Sequence, residues 1–185
     1  MDKGYLLILI GAGLGALGSL GIFSFALGGY LLIAAGVHYL PTSTKELRTA
    51  MIFAFIALAL NLRFFLLPRF VLSNPYINSF LSVLYLFFAV GAFFWILKAE
   101  YIWSPHSRKR MDLLMFSGVA LIYLLISLVS LFPWISMRIL PFNMMMPLFE
   151  VIRFVNILYH GVLIYILAKL YLEARQNGPG LKRWH

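Results

Sequence analysis

The most informative segment of this chain is LFEVIRFVNILYHGVLIYILAKLYL, residues 148–172. The stretch is apolar and exceeds the roughly 20 residues that a helix needs to cross a bilayer. Polar side chains recur within it at every third or fourth position, namely Glu150, Arg153, Asn156 and His160. At roughly 100° per residue they share an arc of about 120° on one helical face. Ionisable groups are costly in lipid, so this face is expected to line a bundle interior or a wet cavity.

The composition of the whole chain supports a membrane protein. Hydrophobic residues make up 63% of the sequence and charged residues 11%, with a mean hydropathy of +0.93. Soluble domains contain more than twice this proportion of charged residues, and no segment outside the apolar runs is long enough to bury a core of its own. Apolar and polar residues rarely alternate, which argues against a barrel. We therefore predict an all-α, polytopic transmembrane helix bundle that forms a single membrane domain over residues 1–185.

About six spans are expected from the apolar runs and the breaks between them. Their approximate bounds are 4–17, 22–40, 50–72, 77–97, 111–132 and 148–172. The first 40 residues leave an alternative open, because one span followed by a half-buried helix would also fit. Residues 133–147 contain three prolines and are apolar, so we expect a re-entrant or interfacial segment there.

Positive charge is concentrated near the predicted span ends. The chain has 15 Lys and Arg against six Asp and Glu, and the densest groups of cations are in loop 98–110 and the tail 173–185. Cationic loops stay on the cytoplasmic side. This pattern predicts a multi-pass protein with a basic cytoplasmic tail and both termini in the cytoplasm. It also explains the basic charge without a nucleic-acid partner, and we expect none.

Further polar residues are expected in the outer half of the bundle. The third predicted span contains Asn61 and Arg63, while Arg69 and Arg138 lie near span ends and are interpreted as interface anchors. Asn61 and Arg63 are two residues apart and so point to nearly opposite sides of a helix. Both are candidate ligand-binding residues, although one narrow pocket is not expected to contain both.

The polar face of the last span completes a candidate ligand site. We predict that Arg63, Glu150 and Arg153 line an outward-opening cavity, with Asn156 and His160 as its floor. Arginine exceeds acid in this set, so the predicted ligand is an anionic small solute or an anionic lipid headgroup in the bilayer. A structural alternative is that Glu150 and Arg153, one turn apart, pair with each other.

The sequence contains no motif for catalysis or for a cofactor. It has no cysteine, no HExxH, GxSxG or Walker A pattern, and its histidines are scattered, so we expect no catalytic residues, metal or cofactor. Gly11, Gly15 and Gly18 favour close helix packing and could contact a membrane protein partner. Two functions remain: transport or ligand capture at the polar cavity, and a non-catalytic structural or accessory subunit of a larger membrane complex.

Overall fold

The computed structural model describes residues 2–19, 23–40, 44–66, 74–103, 107–131 and 142–176. These residues form six helices and no strand. The helices are α1 (Asp2–Ser19), α2 (Phe23–His38), α3 (Lys45–Leu66), α4 (Pro75–Trp103), α5 (Ser107–Leu131) and α6 (Phe142–Gln176). Each corresponds to one of the predicted spans. Helices α1, α4, α5 and α6 extend their spans by a few residues at one or both ends, α2 is slightly shorter than its span, and α3 begins five residues earlier than predicted. Residues 67–73, which follow α3, lie outside the described residues.

Side chains cap two of the helix starts. Oγ1 of Thr44 accepts a hydrogen bond from the backbone N–H of Leu47 at 3.3 Å, just before α3. Oδ1 of Asn74 accepts hydrogen bonds from the N–H groups of Tyr76 and Ile77 at 3.0 and 3.3 Å, and Pro75 occupies the first position of α4. Thr and Asn are favoured caps, and Pro suits a first helical position because no acceptor exists there for its missing N–H.

The helices form a closed ring. The most extensive contacts between helices join each helix to the next along the chain and join α6 back to α1. Neighbours run antiparallel: Phe53 of α3 lies against Gly91 of α4, and Arg63 further along α3 contacts Ser82, which is earlier in α4. One end of the ring therefore contains the ends of α1, α3 and α5 together with the starts of α2, α4 and α6.

Glycines bring α1 and α2 into close contact. A Cβ atom added to Gly11 would lie 2.6 Å from the carbonyl oxygen of Gly29, and one added to Gly4 would lie 2.8 Å from that of Gly36. Both distances are far below van der Waals contact, so the two backbones could not approach this closely with side chains at these positions. Residues 4–40 thus contain two antiparallel helices, in the positions expected for the predicted segments 4–17 and 22–40.

The three glycines predicted to contact a partner protein have different surroundings. A Cβ at Gly18 would lie 2.6 Å from Cβ of Ala26, so Gly18 and Gly11 both pack against α2. A Cβ at Gly15 would meet nothing within 4 Å. Two of the three glycines are therefore already used within the chain, and binding of a partner protein through this helix stays a prediction.

In the part of the chain that the structure describes, three helical segments are long and apolar enough to cross a membrane. They are Pro75–Trp103, Ser107–Leu128 and Glu150–Gln176, and Phe25–His38 is a shorter apolar helix. Large hydrophobic side chains are exposed on the outside of the ring, among them Leu31, Ile52, Phe87, Leu121 and Ile157. An apolar outer surface of this extent suits contact with lipid, and together these features indicate a membrane protein.

Helix α6 begins earlier than the sequence predicted. It starts at Phe142 instead of residue 148, so the second part of the predicted interfacial segment is helical and includes Pro147. Pro147 lacks a backbone N–H and so removes one hydrogen bond of the helix. Because it lies near the start of α6, the rest of the helix continues unbroken. Residues 132–141, and with them Arg138, lie outside the described residues, as do Arg69 and residues 177–185 of the predicted basic tail.

Candidate functional site

A cavity of about 500 Å³ lies inside the ring, and all six helices line it. Its lining residues come from the later parts of α1, α3 and α5 and mostly from the earlier parts of α2, α4 and α6. The cavity therefore occupies the end of the ring where α4 starts. Its volume is typical of sites for small molecules, which measure about 300 to 1,000 Å³.

The lining changes from polar to apolar with depth. Along α4, Asn78 and Ser82 come first, then Tyr85, then Val90 and Phe93. The eleven residue steps from Ser82 to Phe93 correspond to about 16 Å along a helix. The outer layer contains Asn61, Arg63, Asn78, Ser82, Ser127 and Asn156. Below it lie Tyr30, Tyr85, Tyr123, Tyr159 and His160, and the deepest layer includes Ile33, Val90, Phe93 and Leu163.

Arg63 gives the cavity its positive charge. Arg63 is only 6% exposed, and its Nη2 donates a hydrogen bond to Oγ of Ser82 at 2.6 Å. The position in the last turn of α3 favours a cation, because the carboxyl end of a helix carries partial negative charge. Among the described residues that line the cavity, Arg63 is the one Lys or Arg, and none is Asp or Glu. The cavity is therefore electropositive.

Two amide groups of the outer layer are buried without a hydrogen-bond partner in the described part of the chain. They are Nδ2 of Asn61 and Oδ1 of Asn78, and the Asn61 residue is 5% exposed. A buried polar group left in this state costs about 1 to 3 kcal/mol. Water or a polar ligand that reached these amides would recover that cost.

Aromatic rings form the middle layer. The Tyr85 hydroxyl donates to the Tyr30 hydroxyl at 3.3 Å, with the two rings edge to face at 5.8 Å. The rings of Tyr123 and Tyr159 stack at 4.4 Å, and His160 lies edge-on to Tyr159 at 5.0 Å. Each tyrosine presents an apolar ring and a hydroxyl that can donate or accept, so this layer can contact both ends of an amphipathic molecule.

The structure brings four of the six predicted site residues to one cavity: Asn61, Arg63, Asn156 and His160. Asn61 and Arg63 both line it. The expectation that one pocket would not contain both concerned a narrow pocket, whereas this cavity measures about 500 Å³. Nδ1 of His160 lies 2.9 Å from the Asn156 carbonyl oxygen. Both residues belong to the wall and not to the predicted floor, because Leu163 lies deeper on the same helix.

Glu150 and Arg153 do not line the cavity. Their side chains are 74% and 73% exposed, and they form an ion pair at 3.6 Å, as the structural alternative predicted. The reason is the rotation of α6 about its own axis. On an ideal helix, the α6 residues that line the cavity centre on a direction roughly 80° away from Arg153 and roughly 140° away from Glu150, and His160 is the lining residue nearest to Arg153. Only one edge of the polar face reaches the interior.

The four tyrosines of the cavity were not predicted as site residues, because in the sequence they lie within apolar runs like other residues of a span. Tyrosines of membrane proteins are enriched at the two interfaces with water. Tyr123 lies far from either end of α5, and this unusual depth indicates that polar groups surround its hydroxyl. A tyrosine hydroxyl at that depth generally needs a partner.

A second polar cluster, also missed, lies at the opposite end of the ring. Oε2 of Glu100 pairs with Nζ of Lys109 at 2.8 Å, and the Tyr5 hydroxyl donates a hydrogen bond to Oε1 of the same carboxylate. Nζ of Lys169 pairs with Oδ2 of Asp112 at 2.5 Å. These contacts join α1, α4, α5 and α6.

Tightly packed apolar residues separate this cluster from the cavity. Ile8, Ile96, Phe116, Ile166 and Leu167 are almost completely inaccessible. The cavity is therefore closed toward the end that contains Glu100.

No protein-family model, curated protein or solved structure matches this chain.

Proposed function

We propose that this protein binds a small anion in its cavity, as a transport or ligand-capture protein of a membrane. The observation that supports this most directly is the buried Arg63 in a cavity whose described lining contains no acidic side chain. A guanidinium forms forked, charge-assisted hydrogen bonds with a carboxylate or phosphate. A small solute or a lipid headgroup would supply such a group.

The proposed topology has six spans, with both termini in the cytoplasm. It is supported by the six described helices and by Lys98, Arg108, Lys109 and Arg110. These cations lie at the end of α4 and the start of α5, opposite the cavity. If cationic loops stay inside, the polar layer of the cavity opens to the outside. A solute that arrives from that side would meet Arg63 first.

Cysteine labelling tests this topology in a chain that has no cysteine of its own. In intact cells we expect Asn74→Cys to react with an impermeant thiol reagent, because residue 74 precedes α4 on the outer side. Ser107→Cys should react only after the membrane is permeabilised. Labelling of Ser107→Cys in intact cells, with Asn74→Cys protected, would place the cavity on the cytoplasmic side instead.

Arg63→Gln tests the anion site, and Arg153→Gln is its matched control. We expect native mass spectrometry to find the same bound anion in the wild type and in Arg153→Gln, because Arg153 is exposed outside the cavity. Arg63→Gln should lose it. A hydrogen bond to a charged group contributes about 1.5 to 3 kcal/mol, so binding should weaken by about 10- to 100-fold. Arg63→Lys keeps the positive charge but loses the paired N–H groups of the guanidinium, so its affinity for the anion should lie between those of the wild type and Arg63→Gln.

The bound mass distinguishes a lipid from a small solute. Retention of the same anion by Arg63→Gln would contradict the proposal. So would a wild-type protein that carries no anion and purifies with a second membrane protein, a result that the accessory-subunit alternative predicts.

A further inference from the structure

We infer that the anion is the head of a compact amphiphile, a monocarboxylate whose apolar body enters the cavity first. This inference rests on the proposed function, because it uses the same charge on Arg63. It adds a role for the tyrosine layer and the apolar floor, which anion binding alone does not require.

The charge of the cavity favours a single negative charge on the ligand. The described lining residues include one guanidinium and no carboxylate, and the remaining polar groups are amides, hydroxyls and an imidazole. In a poorly solvated site one cation balances one negative charge, and further charges would need further partners. A carboxylate meets this condition, and it also matches the forked geometry of Arg63.

The size of the cavity favours a ligand larger than a bare anion. A volume of 500 Å³ equals on the order of fifteen water molecules at about 30 Å³ each. An inorganic anion at Arg63 would leave most of this volume empty or filled with water against Val90, Phe93 and Leu163. An apolar body attached to the anion would instead bury these walls and be released from water.

The direction of the polarity gradient sets the orientation of the ligand. Arg63 and Ser82 lie in the outer layer, and Phe93 lies about 16 Å deeper on the rise of α4. The head therefore stays at the polar end of the cavity, while the body lies between the tyrosine rings and the apolar floor. Aromatic rings in the ligand would find edge and face contacts with them.

The closed floor limits the length of that body. Phe116, Ile96 and Leu167 are nearly inaccessible and lie beyond the deepest lining residues. An apolar body longer than about 16 Å would have to displace them. A long acyl chain is therefore a poor fit and a short ring-bearing acid a good one.

Binding of radiolabelled 3-phenylpropanoate to the full-length protein in nanodiscs of zwitterionic lipid tests the inference. We expect saturable binding. The neutral analogue 3-phenylpropanamide should compete at least tenfold more weakly, because it lacks the charge. Acetate and inorganic phosphate should also compete at least tenfold more weakly, because they lack the body, and hexadecanoate should do so because it is too long.

Gly15→Leu tests the volume, with Gly13→Leu as its control. A Cβ at either glycine meets nothing within 4 Å, but only Gly15 lines the cavity. We expect Gly15→Leu to weaken phenylpropanoate binding at least tenfold and Gly13→Leu to leave it within twofold. The competition series uses the wild-type protein alone, so it stays decisive if either variant fails to fold.

The outcomes separate this inference from the proposed function. Phosphate or acetate that binds as tightly as phenylpropanoate, depends on Arg63 and is unaffected by Gly15→Leu would overturn the amphiphile and leave the anion site standing. Tighter binding of hexadecanoate would overturn the limit on length. Failure of every probe to bind, or binding that Arg63→Gln does not change, would overturn both.

Discussion

Lys109→Met is expected to lower the free energy of unfolding by about 3 to 5 kcal/mol, the usual cost of removing one partner from a buried ion pair. The Glu100 side chain is 7% exposed and that of Lys109 16% exposed. Without the ammonium group, the carboxylate would stay buried at the end of α4 with the Tyr5 hydroxyl as its remaining hydrogen-bond donor among the described contacts. Denaturant or thermal unfolding of the purified protein in a mild detergent measures the loss.

Glu100→Gln should destabilise the protein less than Lys109→Met does. The amide oxygen can still accept the hydrogen bond from Tyr5, and Lys109 lies in the first turns of α5, from which its long side chain can reach water. Replacing both members of the pair by apolar residues, Glu100→Leu with Lys109→Met, should recover most of the stability because no buried charge remains.

Arg110→Met is the matched control, since Arg110 is an exposed cation on the same turn of α5. Its expected effect is below about 1 kcal/mol. If Arg110→Met and Lys109→Met destabilise the protein equally, the ion pair with Glu100 does not hold this end of the ring together.

Gly11→Ala is expected to destabilise the protein, although alanine is the better helix former. The added Cβ would lie 2.6 Å from the Gly29 carbonyl oxygen and 2.8 Å from a side-chain carbon of Ile33. The carbonyl oxygen belongs to the backbone and cannot rotate away, so α1 and α2 must separate. Overpacking of this kind costs about 1 to 3 kcal/mol, and the higher helix propensity of Ala offsets about 1 kcal/mol at most.

Gly13→Ala should change the stability in the opposite direction. Its Cβ meets nothing within 4 Å, so only the gain in helix propensity remains, and we expect unchanged or slightly higher stability. Both variants add one methyl group to α1, at positions two residues apart. Equal unfolding midpoints for Gly11→Ala and Gly13→Ala would show that α1 and α2 do not pack as closely as these distances require.

The positions of the six described helices could be predicted from the sequence because each apolar run is a local property. Residues 77–97 and 111–132 were expected as spans, and α4 and α5 contain them almost completely. The start of α4 could be expected as well, since Asn74 and Pro75 act within a few residues of the chain. Arg63 was a sound candidate because a charged residue deep in an apolar run is costly unless a protein interior surrounds it.

The composition of the cavity depended on tertiary structure. Sequence periodicity shows that Glu150, Arg153, Asn156 and His160 share a face, but the rotation of α6 against α1 and α5 decided that only Asn156 and His160 reach the interior. The four tyrosines come from α2, α4, α5 and α6 and meet only when the ring closes. Glu100 and Tyr5 are also far apart in the chain. Hydropathy is a property of each segment by itself and determines which segments can enter a membrane. Which side chains face one another depends on how all the helices pack.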